Sequence, residues 1–220
     1  MTFRNLTIAE ETILKRSFNN WGIFDIFGSI RLIVSTIVLD ASSNDQNHTL
    51  TLGYLPDIAF AESENKVMRT EVFVLSIVKY DDILFNKVNA VSIGLKIGTI
   101  RNKKFSPGLN FAEFVVKHNK NMDYPHVIIN TKAENLVVFG RDIMGSSILS
   151  FFKDIKENQQ VIILNHKKEV LGLGKSRYSG SLIIQPNIIT IDTIQNIGTY
   201  YLKSENRSSK FIDKNINHLL

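Results

Sequence analysis

The chain has 220 residues, 44% of them apolar, a net charge of +5 and no cysteine. That length gives one large or two small domains with room for a buried core. The lack of cysteine excludes a disulfide framework, cysteine-ligated zinc and a thiol nucleophile, and the longest apolar runs fall well short of the roughly 20 residues that span a bilayer.

The charge is unevenly spread. Residues 1–85 hold 7 basic and 11 acidic side chains, whereas residues 86–123 hold 7 and 2. Residues 124–206 hold 9 and 7, and residues 207–220 hold 3 and 1. An acidic front and a basic rear suit a protein that sets one surface on a polyanion and another on a protein partner. Charge alone leaves open the plainer reading, that these side chains only solvate a surface.

The N-terminus, MTFRNLTIAEETILKR, is charged from the start, so no secretory leader is expected there. Thr7 followed by Glu10 forms a capping box. It predicts a helix whose apolar face, Ile8, Ile13, Leu14 and Phe18, ends near Asn19 and Asn20. Trp21–Phe27 and Arg31–Leu39 are aromatic and β-branched, hence strand-like. Ala41–His48 reads as a polar loop, Leu50–Tyr54 as a strand and Asp81–Phe85 as a helical turn. Glu71–Val78 suits either a strand or a buried helix.

Residues 91–100 read VSIGLKIGTI and run into a basic turn, Arg101-Asn102-Lys103-Lys104. A short helix is expected over Asn110–Lys117. Phe105 and Phe111 flank this basic stretch and offer possible stacking faces for bases, but aromatic side chains belong more often to a core. Asn119–Pro125 is polar, turn-rich and ends in proline, which marks a boundary. It divides the chain into residues 1–122, residues 124–206 and a polar tail, 207–220.

Val161 to Lys203 carries three apolar, β-branched runs, Val161–Leu164, Leu182–Ile184 and Ile188–Ile191, separated by turn residues. This is the pattern of a compact β-module. Within it, Glu169–Ser176 reads EVLGLGKS. Gly172 and Gly174 share one face of a strand, so another backbone packs close there or the strand coils sharply. Gly174-Lys175-Ser176 imitates the end of a phosphate-binding loop. That loop also needs glycine where Glu169 stands and a helix afterwards, and the sequence has neither.

NLVVFGRDIMGSS (Asn135–Ser147), Val161–Leu164, EVLGLGKS and NIGTYYLK (Asn196–Lys203) together resemble the PUA domain, the RNA-binding module shared by pseudouridine synthases and archaeosine transglycosylases. In that module an apolar strand runs into a glycine and a short helix. A Gly-x-Gly strand follows, then a Gly-x-Tyr-type close. Over the wider chain, LTIAEET with LKRSF, GLKIGTIRNKKF, FAEFVV and HVIINTKAENLVVFGRDI occur in an order similar to one family. It is the ribosome-biogenesis family whose eukaryotic member is called nuclear import protein seven. The resemblance implies an archaeal-type homologue of α+β class. An N-terminal α/β pre-PUA domain would be followed by a C-terminal PUA β-barrel-like domain. It further implies a non-catalytic RNA-binding protein of large ribosomal subunit assembly and pre-rRNA processing, and the high Ile, Lys and Asn content with no targeting signal suggests an archaeal, cytoplasmic one. RNA would lie on the basic PUA surface, ribosome-assembly or RNA-processing proteins on the N-terminal domain, with no membrane and no cofactor.

Family proteins use basic residues at and after the last strand, which here are Lys203, Arg207 and Lys210. The chain departs from the family pattern in two places. Gly145 and Ser147 stand in a loop where a lysine is often found, and the basic residue of GTYYLK falls one position late. The residues themselves add Arg141, Lys153, Lys156, Lys175 and Arg177 as phosphate contacts, with Tyr178 as a stacking face beside Arg177. On this reading a helix begins after Gly140, and Lys153 and Lys156 lie on or after it. Roughly six phosphate contacts would give a log–log salt slope near −4 on single strands. Arg101, Lys103 and Lys104 form a secondary basic patch.

Enzyme signatures are absent from the sequence. The five histidines, His48, His118, His126, His166 and His218, are scattered without an HExxH spacing, and no Gly-x-Ser-x-Gly elbow occurs. Adjacent carboxylates such as Asp81-Asp82 and Glu10-Glu11 diverge from each other. Two alternatives stay open at this point. One is a PUA translation factor of the MCT type; the other is the RNA-recruiting subunit of a modification enzyme.

Overall fold

The computed structural model describes residues 3–40, 66–75 and 93–199. The chain forms two compact units. One comprises Met1–Phe18 and Phe24–Pro107, the other Asn19–Ile23 and Gly108–Leu220. Both mix helix and sheet. No helix among the described residues is long and apolar enough to cross a membrane.

In the first unit, β1 (Phe3–Arg4), β2 (Arg31–Asp40), β3 (Lys66–Leu75), β4 (Leu95–Arg101) and β5 (Lys104–Pro107) form an antiparallel sheet in chain order. The alternative left open at Glu71 is thus resolved to strand as far as Leu75. Helix α1 (Ile8–Asn20) starts as the capping box requires: the Thr7 amide donates to Glu10 Oε2 at 2.9 Å and the Glu10 amide to Thr7 Oγ1 at 3.3 Å. Arg4 of β1 donates both guanidinium nitrogens to Glu10, at 2.7 and 2.8 Å, and so ties the helix start to the sheet. Burial alone would push the Glu10 carboxyl up, but the hydrogen bonds from Arg4 and Thr7 outweigh it and hold it below the usual range. Leu14 and Phe18 carry the buried face, while Ile8 is exposed.

Trp21–Phe27 is not a strand. A turn follows α1, and Phe24–Ser29 is a 3-10 helix. The aromatic residues gain their burial by edge-on ring packing instead of extended pairing. Phe27 meets Phe18 at 5.1 Å, and Trp21 meets Phe111 at 6.0 Å. The expected loop Ala41–His48, strand Leu50–Tyr54 and helical turn Asp81–Phe85 lie outside the described residues, as do residues 76–78.

The second unit opens with α2 (Leu109–His118), which packs on the sheet strand β10. Next come β6 (His126–Ile129), α3 (Thr131–Val138), β7 (Ile143–Met144), β8 (Ile148–Phe151), β9 (Gln160–Leu164), β10 (Val170–Ser176) and β11 (Ile189–Asn196). The strand order is β7-β11-β10-β9-β6-β8, antiparallel except for the parallel pair β6–β9. The outermost strands β7 and β8 are joined by one short turn, Gly145–Ser147. The two edges of the sheet therefore meet, and the sheet is a nearly closed barrel. Val127, Ile129, Val137, Ile143, Val161, Ile163 and Ile191 fill its interior.

Two local readings are corrected here. Asn135–Phe139 is the end of a helix, not a strand, and the element that directly follows Gly140 is the short strand β7, not a helix. The Asn130 side chain accepts from the Ala133 amide at 3.0 Å as an N-cap, and Ala133 and Val137 are buried at helical spacing. Gly140, at φ 75°, ends the helix in the left-handed conformation that glycine adopts without penalty. Leu182–Ile184 likewise lies in a 3-10 helix, Gly180–Ile184, whose one fully buried side chain is Ile183.

β10 is the strand the barrel turns on. Gly172 and Gly174 pair with Ile163 and Val161, both core residues, so the two glycines face the interior as their spacing predicts. The register shifts between Val170 and Gly172 against β9, and between Leu173 and Gly174 against β11. Such bulges sharpen strand twist and bend. A Cβ on Gly172 would sit 2.4 Å from the Gln195 carbonyl oxygen, and one on Gly174 2.5 Å from Ile191 Cγ2. Backbone yields less readily than a side-chain methyl. Gly172→Ala should therefore destabilise the protein by about 1–3 kcal/mol, the usual range for overpacking. A urea titration reads this directly; an unchanged midpoint would show that β11 accommodates the methyl freely.

Candidate nucleic-acid interface

Of the eight cations expected on the RNA surface, five are described: Arg141, Lys153, Lys156, Lys175 and Arg177. Lys203, Arg207 and Lys210 lie outside the described residues. The five come from three separate segments, and the barrel brings them to one end. Lys175 and Arg177 sit at and just past the end of β10. The turn carrying Lys156 packs there: the Ser176 amide donates to the Gln159 carbonyl at 2.9 Å, and the Asn158 amide to the Ser176 carbonyl at 2.8 Å. Lys153 precedes it in the same β8–β9 connection. The Gly180 amide donates to the Ile155 carbonyl at 3.1 Å and pins that connection to the segment after Arg177.

Arg141 joins through its backbone. Its carbonyl accepts from Thr193 Oγ1 at 2.9 Å, and the neighbouring Asp142 accepts from the Thr193 amide at 2.9 Å. The loop after α3 is thereby fastened to β11. Arg177 reaches the same place. Its Nε donates to Asp192 Oδ1 at 2.7 Å, and its Nη2 lies 4.0 Å from Asp142 Oδ2. The hydrogen bond that Arg177 donates to Asp192 raises the Arg177 pKa further. Arg177 thus acts first as a clamp between β10, β11 and the 140–142 loop, with two carboxylates opposing its charge.

The side chains of Arg141, Lys153, Lys156 and Lys175 make no ion pair among the described residues. Even so, the five cations share this end with Asp142, Asp154, Glu157 and Asp192, so five positive charges meet four negative and the local net charge is +1. Sequence reasoning found the cations and missed these acids. Asp192 opposes Lys175 across the β10–β11 ladder, a relation that only the register reveals.

Phe139 was missed as well. It caps α3 beside Gly140 and Arg141 and is 66% exposed, so it offers an aromatic face next to a cation. Its place at the end of an apolar run disguised it as a strand residue. Phe111 is fully buried, and Phe105 lies with ring atoms 2.7 Å from where a Gly98 Cβ would stand. Both serve packing rather than stacking on a ligand.

Among the described residues, no three His, Asp or Glu side chains come together as a metal site. Among the described residues, the one buried histidine is His126 in β6, whose Nδ1 lies 2.8 Å from the Tyr124 carbonyl, with the Tyr124 ring centroid at 5.1 Å. Burial pushes the Tyr124 phenol up to about 12. Burial also pushes the His126 imidazole below its ordinary value; the Tyr124 carbonyl opposes this and the nearby Lys168 reinforces it.

The barrel-like sheet and this charged end define a PUA-domain protein: the UPF0113 PUA domain matches residues 125–206. The chain belongs to the UPF0113 family. A UPF0113 protein from Archaeoglobus fulgidus is 30% identical to it over 179 residues, which cover 81% of each chain. A hypothetical protein of known structure from Pyrococcus horikoshii OT3 is similar with a TM-score of 0.52 at 13% identity, over 88% of this chain and 93% of that one. A conserved PUA domain protein from Thermoplasma acidophilum is similar with a TM-score of 0.51 at 10% identity, over 90% and 95%. These two likenesses are of fold.

The buried imidazole sets a pH response. Unfolded His126 takes up its proton near pH 6.5, and the folded chain takes it up only at lower pH. Below about pH 6.5 the unfolded state therefore binds more protons, and stability falls as pH drops through the window between the two values. His126→Asn keeps a donor for the Tyr124 carbonyl and removes the titration. Urea midpoints at about pH 7.5 and 5.5 should differ less in this variant than in the parent protein. Equal differences would show that His126 does not titrate in this window.

Proposed function

We propose that this protein is a non-catalytic RNA-binding factor of the cytoplasm that acts in large ribosomal subunit assembly and pre-rRNA processing. The observation that carries the reading is the convergence of Arg141, Lys153, Lys156, Lys175 and Arg177 on one end of a UPF0113 PUA domain. PUA domains as a class suggest RNA binding. The sequence likeness to the pre-PUA/PUA ribosome-biogenesis family narrows the RNA to large-subunit precursors. The same likeness gives the first unit the part of docking ribosome-assembly or RNA-processing proteins.

The electrostatics supports a modest, adjustable interface. Arg177 is largely compensated, so about four cations remain to neutralise phosphates. A log–log salt slope near −3 on single strands follows. The side chains approach as separate points, which fixes position without reading sequence. Phe139 adds a stacking surface on which an unpaired base can lie.

Filter binding or anisotropy with large-subunit rRNA fragments and an unrelated RNA, over a range of salt, tests this reading. Lys153→Ala/Lys156→Ala/Lys175→Ala should weaken binding about tenfold at low salt and reduce the slope by about 2. Asp192→Asn should act in the opposite direction, because it removes a charge that holds Arg177 away from phosphate. Co-sedimentation with large-subunit precursors is expected. Absence of RNA binding at low salt would overturn the proposal.

A further inference from the structure

The most uncompensated positive charge in the described structure lies in the first unit, at the tip of the β4–β5 hairpin. Arg101 and Lys104 are direct cross-strand partners, and Asn102 and Lys103 form the two-residue loop between them. Both loop residues have positive φ, 50° and 58°. That is the left-handed pair of a type I′ turn, whose second position strongly favours glycine.

Two local rules of hairpin stability are broken within four residues. Like charges directly opposite each other on a ladder are destabilising, and Lys103 occupies a left-handed conformation that glycine would hold at less cost. Asn-Gly is the most favourable sequence for this turn, and the chain has Asn-Lys. Departures of this kind, without a local compensation, concentrate at functional positions. No compensation is present here among the described residues. All four residues are exposed, and the side chains of Arg101, Lys103 and Lys104 make no ion pair or hydrogen bond among the described residues. Glu71, which opposes Thr99 two residues back along β4, accepts from Arg69 at 2.7 Å and from Lys96. Burial pushes that carboxyl up, and the two cations hold it down and occupied.

The tip is also held in place. Gly98 pairs with Pro107, and the Phe105 ring packs over Gly98 where a Cβ would otherwise stand. The cations therefore stand on an ordered hairpin, so binding costs little backbone ordering.

We propose that the β4–β5 hairpin tip is a second polyanion site, in which Arg101, Lys103 and Lys104 contact the phosphate backbone of RNA. This rests on the RNA-binding reading above and extends it to the first unit. Two compact lysine ammonium groups and the Arg101 guanidinium fork at a tight turn suit phosphate oxygens, which need positive charge and no base-specific geometry. The contact is sequence-independent and adds to affinity and salt dependence rather than to discrimination.

The test uses the full chain with Arg101→Thr/Lys103→Gly/Lys104→Thr. These changes install the preferred turn and strand residues, so the variant should melt at or above the parent temperature. Its affinity for a large-subunit rRNA fragment should fall about tenfold at low salt, and its salt slope by about 2, the share of three phosphate contacts. The second-unit variant Lys153→Ala/Lys156→Ala/Lys175→Ala is measured beside it. If only the second-unit variant loses affinity and slope, the hairpin site is overturned and the RNA-binding reading stands. If only the hairpin variant loses them, the hairpin site stands and the placement of RNA on the second unit fails. If the parent protein binds no RNA, both fail. A hairpin variant that keeps its RNA affinity but loses retention of polyglutamate would assign the tip to an acidic protein and overturn the proposal.

Discussion

The second unit depends on the close passage of β10 between β9 and β11. A strand with ordinary side chains at 172 and 174 would stand off from its neighbours, because the Gln195 carbonyl and the Ile191 side chain occupy the space a Cβ needs. With glycines there, the ladder bulges on both sides of the same strand, and the sheet bends far enough for β7 and β8 to be linked by a three-residue turn. Closure then determines the surface. The end of β10, the β8–β9 connection and the loop after α3 come together because the sheet curls into a nearly closed barrel. A cationic site built from such distant segments depends on the fold, not on any one motif.

Closure also sets which cations are available. The interaction that fastens the 140–142 loop to β11 uses Asp142 and Thr193, and it places a carboxylate within reach of Arg177. Asp192, opposite Lys175 in register, supplies the other. Arg177 therefore spends its charge on holding the barrel end together. Exposed ion pairs of this kind add little stability singly; their larger effect here is to lower the positive potential of the surface they join.

The elements with a strong local signal were legible in the sequence. The Thr7–Glu10 capping box, the β-branched run Arg31–Leu39, the helix at 110–117 and the paired glycines of β10 all fold as their patterns require. Failures came where apolar composition was matched without its period. Trp21–Phe27 and Leu182–Ile184 looked extended because they are aromatic or β-branched, but they form turns and short 3-10 helices that bury only some of these side chains, Trp21, Ile23 and Ile183 among them, and leave Phe24, Leu182 and Ile184 exposed. Asn135–Phe139 looked extended because four apolar residues follow one another; the deciding signal was Asn130 as an N-cap, with Ala133 and Val137 one helical turn apart. For the site, residue type identified the cations, whereas their partners were hidden. Strand register paired Asp192 with Lys175, and no sequence spacing encodes that.

Register explains why net charge is a poor guide to the function of this chain. At physiological ionic strength exposed charges are screened over about 8 Å, so a phosphate responds to the balance within a few side chains. By that measure the barrel end, with five cations among four carboxylates, and the β4–β5 tip, with three cations and no paired carboxylate among the described residues, differ more than the totals of their segments suggest. If RNA lies on the barrel end as proposed, specificity there would come from shape and from an exposed aromatic ring, since the charges nearly cancel. The hairpin tip has no comparable shape, and the role proposed for it rests on charge. A chain with both features can combine a weakly charged, well-formed recognition surface with a strongly charged, indiscriminate one. In that arrangement affinity and selectivity respond to salt independently.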